Sequence, residues 1–172
     1  MSGLPPIARR GFLGATLGGG LLAGLPLRAA GATHVLIVHD PAIPASRAFA
    51  VAAAARGATL AATEGEAVRI ARDIGLRLRP DRIAGLTGYA DFLLFADALR
   101  ETGYRIAGHG FHGGDHRCHG ALADCARLLE TSGAAWPEAL AEVVIGVGRA
   151  MRRPVPRRTG ILVSWIAVPR AI

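Results

Sequence analysis

Val35-Leu36-Ile37-Val38 is an unbroken apolar, largely β-branched run that stops at His39-Asp40-Pro41. A strand covered on both faces reads this way, so the run predicts a buried parallel strand. The chain then repeats the theme. Ser46 is placed to N-cap a helix over Arg47–Arg56, with Gly57 at its C-cap. Thr59–Thr63 reads as a second strand, and Gly65-Glu66 opens a helix that Pro80 stops. Val68, Ile70, Ile74, Leu76 and Leu78 are the apolar positions expected on its inner side. Ile83–Thr87 is a third strand. Tyr89–Thr102 is a helix with Phe92, Leu93, Phe95, Ala96 and Leu99 on one stripe. Gly103 caps it, and Tyr104–Ala107 is a fourth strand.

Four strand–helix alternations of this length predict a parallel sheet with right-handed crossovers. The glycine- and histidine-rich stretch Gly108–His119 reads as a loop. Helices over Ala121–Thr131 and Pro137–Arg152, a basic link Arg152–Arg158 and a last strand Ile161–Val168 complete the chain. The expected fold class is α/β: a three-layer sandwich with a mainly parallel sheet in Rossmann-like or flavodoxin-like order. A C-terminal helical segment and a last strand are added to it.

Ahead of the first strand, Arg9-Arg10 is followed by Gly11-Phe12-Leu13 and an apolar, glycine-rich run to Leu25. Pro26 breaks the run, and Arg28 precedes the small residues Ala29-Ala30-Gly31-Ala32. Charge, apolar stretch and a small-residue site, in that order, make a secretory signal. The stretch is shorter than the ~20 residues a spanning helix needs. Arg9, Arg10, Phe12 and Leu13 resemble the leader of twin-arginine (Tat) export substrates. That resemblance implies the Tat translocase as a partner during export, membrane contact only through the leader, and a periplasmic destination reached already folded. Cleavage after Ala32 leaves residues 33–172 as one α/β domain, with 17 arginines against 13 acids and a net charge of +4. The segment from Val38-His39-Asp40 through the Tyr89–Thr102 helix is similar to a group of small Tat-exported bacterial proteins of unassigned activity. No catalytic residue comes with that similarity.

All 20 basic residues are arginine, and lysine, asparagine and glutamine are absent. Schiff-base chemistry, a phosphate-loop Gly-Lys-Ser/Thr site and a kinase-type lysine are therefore excluded. Asp40-Pro41-Ala42-Ile43-Pro44 stands where a dinucleotide fold would carry Gly-x-Gly-x-x-Gly. Ser46, Ser132 and Ser164 lack a nucleophile-elbow context. Arg152–Arg158 has no interleaved aromatics, which speaks against nucleic acid as a partner.

Two constellations remain. Ligands of open parallel sheets settle beyond the carboxyl ends of the strands. Asp40, Ser46, Arg47, Glu64, Thr87 and Asp91 fall there, with His39 and Gly88 beside them. This set suits a small polar or anionic ligand; read structurally, Ser46 and Thr87 are caps and Asp40 a turn residue. The second set is His109, His112, His116 and His119 with Cys118, Cys125, Asp115 and Asp124. Imidazole and thiolate suit zinc or copper, whereas the bland alternative is a solvated loop. An oxidising compartment favours a Cys118–Cys125 disulfide instead, feasible only if the two are not on one helix, where about 10 Å would separate them. Three functions are compatible with these sets: a small-ligand binding or accessory protein, a metal-binding protein or enzyme, and an interaction partner of a cofactor-bearing Tat substrate.

Overall fold

The computed structural model describes residues 33–146 and 162–171. The leader with Arg9, Arg10, Phe12 and Leu13, and the Arg152–Arg158 link, lie outside the described residues. Six strands form one mixed sheet: β1 (Val35–His39), β2 (Thr59–Ala62), β3 (Arg82–Gly88), β4 (Tyr104–His112), β5 (His116–Gly120) and β6 (Leu162–Pro169). Their order across the sheet is β2-β1-β3-β6-β4-β5. Five helices accompany them among the described residues: α1 (Pro44–Ala54), α2 (Ala67–Asp73), α3 (Tyr89–Glu101), α4 (Cys125–Ser132) and α5 (Trp136–Ile145).

The mixed α/β class and the four expected strands are present, but the expectation of a mainly parallel sheet needs correction. β1 pairs in parallel with β2 and with β3. The pairings β3–β6, β4–β6 and β4–β5 are antiparallel. β4 still runs in the direction of β1–β3, because two antiparallel steps through β6 restore it. The physical cause is Trp165. Its ring lies over Gly85, where any Cβ would collide with it, and its Nε1 donates to Thr87 Oγ1 at 3.2 Å. A glycine opposite a tryptophan makes β3 a specific seat for β6 (Gly85↔Trp165), and β4 is displaced by one position.

Alternate residues of β1 enter two separate apolar clusters, as the two-residue pleat requires. Val35 and Ile37 pack with Phe49 and Ala53 of α1, Leu129 of α4, and Leu140 and Val144 of α5. Leu36 and Val38 pack with Ala71 of α2 and with Phe92, Phe95 and Leu99 of α3.

Three helix expectations shift. Ser46 is inside α1 rather than its N-cap, which is Ile43 ahead of Pro44. α2 passes into one π-helical turn at Ile74–Leu78. The extra residue per turn rotates the stripe, so Leu76 and Leu78, expected inside, are 56% and 53% exposed. On α3, Ala98 rather than Leu93 joins the buried stripe.

Gly108–His119 is not a loop. It is the end of β4 and nearly the whole of β5, paired Gly108↔Gly120, His109↔His119, Gly110↔Cys118 and His112↔His116. The glycines serve close approach rather than turning: a Cβ on Gly110 would stand 2.9 Å from Ser164 Oγ and 3.1 Å from Cys118 Sγ.

Candidate functional site

β1, β2 and β3 end together, and a cleft of about 440 Å³ opens there, lined by Asp40, Pro41, Ala42, Thr63, Glu64 and Asp91. Each acid arrives by a different route. Asp40 follows β1, Glu64 follows β2, and Asp91 sits in the first turn of α3 after β3. α1 and α3, which leave the adjacent strands β1 and β3, pack into different clusters. The strand order thus reverses between β1 and β3, where open α/β sheets receive ligands.

The loop after β1 is held rigidly. Asp40 Oδ1 accepts from Ala42 N–H at 2.8 Å, and Asp40 N–H donates to Ser46 Oγ at 2.8 Å. Ser46 Oγ donates in turn to Leu86 C=O at 2.5 Å, tying the loop to β3. Arg47 Nη1 donates to Pro41 C=O at 2.6 Å. Ser46 and Thr87 are fully buried with their hydroxyls committed to Leu86 and Trp165, and neither lines the cleft. Arg47 does not line it either. Of the six residues expected at this edge, the cleft brings together the three carboxylates, and the hydroxyls and the guanidinium hold the scaffold. No basic side chain is among the lining residues. The lining of the cleft is thus acidic. Burial first, and then the charge of Asp40, raises the Asp91 carboxyl above its ordinary range. His39, at the end of β1, is pushed down by burial against the opposing pull of Asp40 and Glu64. Its Nδ1 is buried without a hydrogen-bond partner.

The histidines divide. Residues 109 and 112 differ by an odd number along β4, so the four rings cannot form one ligand set; they form two cross-strand pairs on opposite faces of the hairpin. His112 and His116 lie on the face that Trp136 covers, with ring centroids 4.6 and 5.0 Å from it. Their Nδ1 atoms are 2.8 Å apart, and His112 Nε2 is 2.8 Å from Ser164 Oγ. Burial, and then the neighbouring His116, lowers His112 to about 3. A hydroxyl, an imidazole and a second imidazole in series resemble a nucleophile, its base and an orienting group. Ser164 is fully buried, however, and Gly110 is already the smallest residue that fits over it. No substrate reaches that hydroxyl, so the series is an internal network. His109 and His119 lie on the other face, ring centroids 5.2 Å apart, with Phe92 and Phe111 against His109. Among the described residues no group of three or more histidine, cysteine, aspartate or glutamate side chains is arranged to hold a metal ion.

Cys118 and Cys125 lie at disulfide distance, Cα–Cα 6.4 Å, one on β5 and the other opening α4.

No family model, curated protein or solved structure matches this chain.

The site therefore has to be read from its own geometry. Sequence reasoning missed Thr63 as a cleft residue, and Trp136 and Ser164 as the partners of His112. Ser164 had a signal available: it alternates with Val163 and Trp165 in an apolar strand, and a lone hydroxyl buried there needs a partner. Among the described residues no helix is long and apolar enough to cross a membrane.

Proposed function

We propose that this chain is a twin-arginine-exported periplasmic protein whose body, residues 33–172, binds a small positively charged molecule in the cleft between Asp40, Glu64 and Asp91. The observation that carries the reading is the lining itself, three carboxylates from three successive strand ends and no basic side chain. An anion placed there would meet uncompensated like charge. A cation offsets the burial, and then the charge of Asp40, that raise Asp91. We further read the two apolar clusters as helix layers on either side of the sheet, a three-layer arrangement that leaves this strand edge open to a ligand.

The test is a calorimetric titration of the full chain with magnesium, calcium and a short diamine, against acetate and phosphate as anionic controls. At least one cation binds saturably and the anions do not. Asp40→Asn with Asp91→Asn weakens that binding by about tenfold or more, the scale of losing charge-assisted contacts. The amide oxygen introduced by Asp40→Asn can still accept from Ala42 N–H, so the loop is kept. Saturable binding of acetate or phosphate, or cation binding unaltered in the double variant, overturns the reading.

A further inference from the structure

The geometry points to a second site: His109 and His119 form a two-imidazole chelate for a divalent transition-metal ion of the zinc type, on the face of the β4–β5 hairpin opposite Trp136.

Three observations set this pair apart from His112 and His116. First, no hydrogen bond engages either ring among the described residues, so the lone pairs are unspent. The His112 and His116 nitrogens are instead committed to each other and to Ser164. Second, His119 is exposed and His109 half-buried, so an ion can reach the pair from solvent while one ligand is held still. The holding comes from Phe92, stacked on His109 at 6.0 Å, and from Phe111, edge-on at 5.4 Å. Third, the spacing fits. A zinc–nitrogen bond is about 2.0 Å and the ring centre lies about 1.1 Å beyond the nitrogen, so each ring centre stands about 3.1 Å from a bound ion. Ring centroids 5.2 Å apart then subtend about 114° at that ion, close to the tetrahedral angle. A half-turn about χ2 puts each ring nitrogen where a ring carbon stood, so either ring can turn a nitrogen toward the ion.

The surroundings permit a cation. Arg117 shares this face of β5; its Nε pairs with Asp115 at 3.2 Å, which offsets its charge, although its Nη2 is buried without a partner among the described residues. The protein supplies two ligands, leaving two positions of a tetrahedral ion for water or an exogenous ligand, the open arrangement of a catalytic or carrier site rather than a closed structural one.

The experiment titrates the full chain with zinc by calorimetry and follows cobalt(II) as a spectroscopic stand-in. One ion binds at the histidine pair, separate from any held by the cleft, and cobalt there gives the visible bands of a tetrahedral site. His119→Ala, a change at an exposed position, weakens zinc by about tenfold or more, because a chelate becomes a single ligand. His112→Gln leaves zinc binding at this pair unchanged, and the pair still takes one ion in Asp40→Asn/Asp91→Asn, whose cleft no longer competes, which separates this site from the buried pair and from the cleft. His34→Ala serves as a control for exposed imidazole. Absence of zinc binding, or zinc affinity that is unaltered in His119→Ala or follows His34, His112 or the cleft carboxylates, overturns the assignment.

Discussion

His112 is 3% exposed, sandwiched between the Trp136 ring and β6, with each nitrogen facing one partner. Its environment rejects a proton, and this has a thermodynamic consequence. The folded group sits at about 3, the unfolded one near 6.5. Between those values the unfolded chain binds the proton that the folded chain refuses. The stability that His112 confers is therefore fully present above pH 6.5 and is lost as pH falls toward 3, by about 1.4 kcal/mol per pH unit at the steepest. His39, His109 and His116 are lowered in the same direction, so the comparison must be differential. In urea unfolding between about pH 4 and pH 6, His112→Gln should show a shallower pH dependence than the parent by about one proton's slope. Equal slopes would mean that the ring takes up its proton in the folded state. None of this is legible from the sequence, where His112 stands in a run of glycines and looks solvated. A histidine's charge state depends on what crosses over it, and the Trp136 and Ser164 that do so are distant in the chain.

The hairpin of β4 and β5 is where reading by composition fails most. Glycine marks turns by default, and five of the residues from 108 to 120 are glycine. In this hairpin Gly108 and Gly110 are strand residues whose missing side chains admit the α4 connection and the close approach of Ser164 and Cys118 to Gly110. Only the turn proper, at Gly113–Asp115, fits the default. α2 carries a related lesson, since a single π-helical turn moves Leu76 and Leu78 to the surface while leaving the apolar spacing intact on paper. The cysteine expectation fares better because geometry limits it: the pair must not share one helix, and Cys118 lies on β5, not in the expected loop, while Cys125 opens α4. A covalent link closing so short a loop contributes at most ~2.5 kcal/mol. Thermal unfolding with and without reductant should show a midpoint lower by several degrees on reduction, and Cys118→Ser should reproduce the reduced value. An unchanged midpoint would show the sulfurs to be unlinked.

At the scale of the whole molecule, β1 and β3 are readable because each is a buried apolar run followed by a helix, whereas β2 is a half-exposed edge strand. That pattern carries direction as well as identity. β6 carries no such information. An apolar run alone can sit at an edge or in the middle, and the Gly85–Trp165 fit seats this one beside β3. The cleft acids are legible for the same reason as β1–β3, since they stand at strand ends; their separation from Ser46, Arg47 and Thr87 is not, because hydrogen bonding reassigns those three. The export proposal belongs at this scale too. Replacing Arg9 and Arg10 by lysine should leave the chain in the cytoplasm with residues 1–32 uncleaved, as read by fractionation and mass of the mature species. Delivery to the periplasm undiminished by that change would remove the Tat assignment and leave the cleft reading to stand alone.

The position of β6 also bears on timing. Ile83 pairs with Ala167 and His112 with Leu162, so the central rung of the sheet joins segments made far apart in synthesis. Until the ribosome has delivered Leu162–Pro169, β3 and β4 have only unsatisfied inner edges to offer, and the two halves cannot fuse. Such long-range closure is slow. A carrier that accepts only finished cargo would in effect be testing for this one strand, and a nascent chain halted before it would present two sticky half-sheets to the chaperones that guard the queue.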